Sequence, residues 1–193
     1  MNPPTNKMAP WILLFSRTVL FALFQVMIAA ALALSGSAAP WRASARWWMI
    51  SALLTNLVSI ALLTWCFRQE KQRFFNYIPT VRKTFWKDLG LTLLLMAALM
   101  PLTVLPNQWL ATWLFGSPET ANTILFQPLP LWAGLVSLLF PLTIAFAELP
   151  TYFGYVMPRL EKQLGSGWAA WALASFFLAL QHITLPLVLA WRF

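Results

Sequence analysis

The dominant pattern along the chain is a set of long apolar runs separated by short polar or basic stretches. The runs cover about 11–34, 47–67, 88–105, 128–158 and 168–193. Most are near the ~20 residues needed to cross a hydrocarbon core. None shows the ten-residue alternation of a membrane β-barrel, so all five read as helices, which satisfy their own backbone in lipid. The fourth run is too long for one straight crossing and carries Pro130, Pro141, Pro150 and Pro158. A break near Pro141 or Pro150 is expected there. Pro79 and Thr80 are expected to mark a break before the third helix, which should stop near Pro106. A loop over 106–127 would rest its Trp109, Trp113 and Phe115 on the bilayer, and a turn is expected at 161–167.

The predicted fold is an all-α polytopic transmembrane bundle of about five spans with a proline-broken helix, forming one domain over 1–193. Composition strengthens that reading. The chain is 60% hydrophobic and 9% charged, against about 25% charged in soluble domains. Of its 12 tryptophans, Trp11, Trp47, Trp48, Trp65, Trp86 and Trp168 fall at run ends, as interfacial belts require. Arg17 within the first run is expected to snorkel to the surface near Lys7. Small residues at 35–39 partly mimic a signal-peptide cleavage site, but the length of the run favours a retained helix.

The net charge of +8 comes from 13 basic and 5 acidic residues. The basic residues sit mostly between apolar runs, which points to topogenic charge and anionic lipid rather than nucleic acid. Arg68, Lys71, Arg73, Arg82, Lys83 and Lys87 alternate with aromatics, as a segment in the headgroup layer would. Placing 68–87 inside also puts Lys7, Arg159 and Lys162 inside. The expectation is a multi-pass protein of a bacterial inner (plasma) membrane with a cytoplasmic N-terminus. Cys66 stands alone, which rules out an intrachain disulfide.

Two ionisable groups lie within apolar runs, where burial is costly and function is often found. Glu148 is eleven residues before Arg159, hence about 16 Å deep, and His182 is fourteen beyond Trp168, hence about 21 Å deep. On an antiparallel hairpin the two could face each other near mid-membrane. A carboxylate there takes a proton from water, and an imidazole binds metal or supports an oxyanion. The alternative is that each only makes an interhelical hydrogen bond. Tyr152 and Tyr155 share the Glu148 face and either bond to it or pack.

Residues 147–160 (Ala-Glu-Leu-Pro-Thr-Tyr-Phe-Gly-Tyr-Val-Met-Pro-Arg-Leu) and 175–182 (Ser-Phe-Phe-Leu-Ala-Leu-Gln-His) resemble the CPBP intramembrane metalloproteases. These are the CAAX-protease and bacteriocin-processing family, also called Abi. Their first motif is two glutamates, three residues, an arginine and usually a glycine; their second is phenylalanine, three residues, histidine. Glu148 and Gly154 match the first and His182 the second. Leu149, Phe153 and Leu178 occupy the positions of the second glutamate, the arginine and the phenylalanine. The resemblance covers about 130–193.

It implies a metal-dependent endopeptidase acting on a peptide or membrane-protein substrate. Glu148 would activate water, and His182 would be the metal or oxyanion partner of a divalent ion, zinc by preference. The family carries a further histidine with Asn or Asp in a later helix, whereas His182 is the only histidine of this sequence. A fragment, or a relative without the full catalytic set, is therefore expected. A non-catalytic scaffold or immunity-type relative, or a small transporter component, are the alternatives. Orientation is directly testable: cysteines introduced at positions 72 and 163 should resist a membrane-impermeant thiol reagent in intact cells, and labelling of both from outside would reverse it.

Overall fold

A helix surrounded by lipid has no hydrophobic reason to bury leucine, so its few polar side chains turn inward. The first helix shows this directly. In a computed structural model of the chain, which describes residues 7–77 and 84–184, α1 spans Ala9–Leu34 and starts with Pro10 in its first turn, where a missing N–H costs nothing. Its buried stripe runs Leu13, Leu14, Arg17, Phe21, Gln25 and Ala29, while Ile12, Phe15, Val19, Leu23 and Val26 are exposed. The short α2 (Pro40–Ser44) and a 3-10 turn (Ala45–Trp47) lead into α3 (Trp48–Gln69). There Ser51, Thr55, Asn56 and Ser59 are buried, and Leu57 and Trp65 are exposed.

The helix α4 (Phe85–Phe115) continues through both Pro101 and Pro106. The expected stop at Pro106 and the loop over 106–127 are therefore not what forms. Each proline removes one backbone bond, but unwinding an apolar segment would release several more with no water to receive them. Gly116, with φ +80, ends the helix, and α5 (Pro118–Leu125) follows. The described residues form two compact units, 7–74 with 124–184, and 75–123. The basic Arg82 and Lys83, the break at Pro79 and Thr80, and everything beyond Thr184 lie outside the described residues.

The long fourth run becomes α6 (Leu131–Ser137), α7 (Phe140–Leu149), a π-helical turn (Pro150–Val156) and α8 (Met157–Leu164). The axis bends by 40° between Ser137 and Phe140. Pro141 explains the site: its ring crowds the carbonyl four residues back, at Ser137. Pro150 has the same effect one stretch later, where the wider π turn forms and Thr151 Oγ1 donates to the Ala147 carbonyl at 2.6 Å. The chain then reverses at Gly165 (φ +68) into α9 (Gly167–Thr184). α8 runs on to Leu164, so the reversal is shorter than the turn expected at 161–167.

Among the described residues every element is helical. Three helices are long and apolar enough to cross a membrane, four if the bent pair counts as one span. These apolar helices are those of an integral membrane protein, and the fifth run is described only as far as Thr184.

At the end of α3, Glu70 is buried and clamped to α8. Arg159 donates from Nε to Glu70 Oε1 at 2.8 Å and pairs through Nη2 with Oε2. Tyr155 Oη donates to Glu70 Oε1 at 2.8 Å, and the guanidinium lies 3.6 Å from the Tyr155 ring centroid. Burial pushes the Glu70 carboxyl up, but the bonds from Arg159 and Tyr155 outweigh it and hold the group below its ordinary 4.5. A lowered folded value means the clamp contributes fully above about pH 4.5 and is lost as pH falls through that folded value. Glu70→Gln should therefore cost about 2 kcal/mol near neutrality, with the difference from wild type vanishing in acid. Unfolding in mixed micelles against pH checks this.

Candidate functional site

Glu148 ends α7 just before the π turn, and His182 lies in the last turn of α9. Their side chains converge: His182 Nε2 is 3.6 Å from Glu148 Oε2. The depths counted from the sequence therefore do bring the two groups together. The carboxylate is largely covered, at 16% exposure, whereas His182 is 55% exposed. The pair consequently has a buried side and an open side.

The buried side is a polar network that sequence reasoning missed. Arg17 does not snorkel. It is wholly buried, and its guanidinium stands 3.6 Å from Glu148 Oε2. A cation at that depth lowers its cost only by finding an anion and hydrogen-bond acceptors. Arg17 finds both. Nε donates to Gln181 Oε1 at 2.7 Å, Nη1 to Ser59 Oγ at 3.2 Å, and Nη2 to Asn56 Oδ1 at 3.0 Å.

Gln181 completes the link by donating from Nε2 to Glu148 Oε2 at 2.8 Å. Its amide orientation is forced, since arginine only donates and a carboxylate only accepts. Asn56 in turn donates from Nδ2 to Thr143 Oγ1 at 3.1 Å. One network thus joins α1, α3, α7 and α9.

The two tyrosines considered as partners of Glu148 go elsewhere. Tyr152 Oη donates to the Phe177 carbonyl at 3.3 Å, and Tyr155 bonds to Glu70. The motif glycine, Gly154, meets no steric demand. A Cβ there would touch only Pro150 Cβ at 3.8 Å, an ordinary contact. Leu149, at the position of the second motif glutamate, is exposed, and Phe153 is partly so.

The expected divalent metal has no complete donor set among the described residues. A catalytic zinc takes three protein ligands, and among the described residues no three His, Cys, Asp or Glu side chains gather. The carboxylate oxygen facing His182 also accepts from Gln181 and faces the Arg17 cation. A divalent ion bridging Glu148 and His182 would lie against that fixed positive charge.

The chain matches no family model, no curated protein and no solved structure. The likeness to CPBP proteases thus rests on the two motif stretches alone.

The network makes a graded forecast. Asn56→Leu cuts both the Arg17 and the Thr143 bonds, and should destabilise by about 2 kcal/mol. Ser59→Ala removes one longer bond and should cost about 0.6 kcal/mol, the usual value for such bonds in membranes. Reversible unfolding in bicelles ranks the two, and equal effects would mean that Asn56 is not the stronger anchor.

Proposed function

We propose that this chain is a membrane-embedded hydrolase acting on peptide bonds, of the type its motif stretches resemble. It would lie in a bacterial inner membrane with its N-terminus inside and take a peptide or membrane-protein substrate. The observation that carries the reading is the open side of the Glu148–His182 pair. Arg17 stands on the buried side of Glu148, and a half-exposed imidazole lies 3.6 Å from the same carboxylate. It sits where a reacting group can be approached by both side chains.

In this reading Glu148 takes a proton from water as the water oxygen attacks the substrate carbonyl carbon. The carbonyl π electrons move onto its oxygen, and an N–H of His182 stabilises that oxyanion. Collapse breaks the C–N bond, and the proton held by Glu148 passes to the leaving amine. No step is assigned to a metal.

A second reading has its own support. Arg17 and Gln181 satisfy Glu148 with no substrate present, as a non-catalytic scaffold of the same fold would require. Reconstitution in liposomes with a panel of peptide and membrane-anchored substrates separates the two. The hydrolase reading expects cleavage that falls about 10²–10⁴-fold in Glu148→Ala and about 10²-fold in His182→Ala. Cleavage equal in wild type and Glu148→Ala, or absent from both, leaves the scaffold.

A further inference from the structure

We infer that Arg17, acting directly and through Gln181, is the positioning residue of Glu148, which makes helix α1 part of the site. The inference rests on the hydrolase reading. Arg17 itself lies outside the motif stretches, 131 positions before Glu148.

Every described contact of the carboxylate falls on one oxygen. Gln181 Nε2 donates to Oε2, Arg17 Nη2 faces Oε2, and His182 Nε2 faces Oε2. A carboxylate held by one oxygen has its plane and its second oxygen fixed. Oε1 then becomes the proton acceptor, with no rearrangement at the moment of reaction. Arg17 is itself immobilised. Ser59 and Asn56 on α3 hold its two terminal nitrogens, Gln181 holds Nε, and the guanidinium lies 5.8 Å from the Phe21 ring centroid.

The fork geometry therefore matters as well as the charge. Lysine would place a point charge near Glu148 but could not hold Gln181, Ser59 and Asn56 together. Gln181 matters for another reason. Its amide alone accepts from the guanidinium with one end and donates to the carboxylate with the other.

The test uses full-length protein in liposomes and reads kcat, KM and unfolding separately. Arg17→Lys and Gln181→Met should fold, keep KM within about twofold, and lose about 10- to 100-fold in kcat, the scale of a misplaced catalytic group. Arg17→Gln should lose more, so that lysine restores part of kcat. A structural role alone predicts wild-type kcat in every variant that folds. Wild-type kcat in folded Arg17→Lys and Gln181→Met overturns the inference.

A stability cycle guards against variants that fail to fold. Arg17→Gln and Glu148→Gln each leave one charge uncompensated and should lower the unfolding midpoint. The double variant, with no buried charge, should recover most of the loss. Additive losses would show that the pair is not coupled, and would also overturn the inference. Absence of hydrolysis from wild type together with a coupled cycle removes the hydrolase reading, and the positioning role with it.

Discussion

A guanidinium cannot be left alone among apolar helices, and the bundle around α1 is arranged to meet that constraint. Breaking a buried pair by removing one partner typically costs about 3–5 kcal/mol. Arg17 gathers its partners from three other helices: Asn56 and Ser59 on α3, Glu148 on α7 and Gln181 on α9. Any rotation of one helix about its axis would unpair at least one of them. Apolar packing in lipid offers no comparable penalty, because leucine is as well solvated by lipid as by another helix. The polar network fixes which faces meet, and the apolar residues fill the space between.

Prolines fit the motif segment to this arrangement. Pro141 breaks the helix near Ser137, and Pro150 opens a π turn immediately after Glu148. π turns often mark functional sites because they rotate one half of a helix against the other. Thr151, Tyr152, Tyr155 and Val156 are all buried within this turn. The offset lets α7 present Glu148 to α1 and α9, while Tyr155 on the next turn reaches Glu70 on α3.

Much of this was legible in the sequence. The starts of α1 and α3 fell within two residues of the apolar runs, and helical rise alone put Glu148 and His182 at comparable depth. The same arithmetic applied to Arg17 would have exposed the network. Arg17 is ten residues from Lys7, hence about 15 Å deep, and Asn56 is twelve before Arg68, about 18 Å. An arginine side chain cannot return that distance to the surface, so snorkelling was the wrong alternative. Other features lay beyond any single-sequence pattern. Pro101 and Pro106 in α4 read locally as stops, and nothing in the neighbouring sequence showed that the helix would continue through both. The role of Gln181 as the link between Arg17 and Glu148 depends on a helix whose arginine is 164 residues away.

The departures from the resembled motif take on a different meaning once the cations are located. Phe153 stands where that motif has arginine, and by sequence alone this leaves Glu148 without a basic neighbour on its own helix. In the folded chain the guanidinium beside Glu148 comes from α1, and Arg159, the nearest arginine downstream on the motif segment, is committed to Glu70. The two ion pairs divide the labour by depth. Glu70–Arg159 sits where α3 ends, bidentate and backed by a tyrosine ring, and secures α3 to α8. Arg17–Glu148 sits in the apolar interior, looser at 3.6 Å and bridged by an amide. A direct bidentate pair at Glu148 would occupy both carboxylate oxygens. The amide bridge instead reaches one oxygen, Oε2, and ties the carboxylate to Arg17 without a direct bidentate pair.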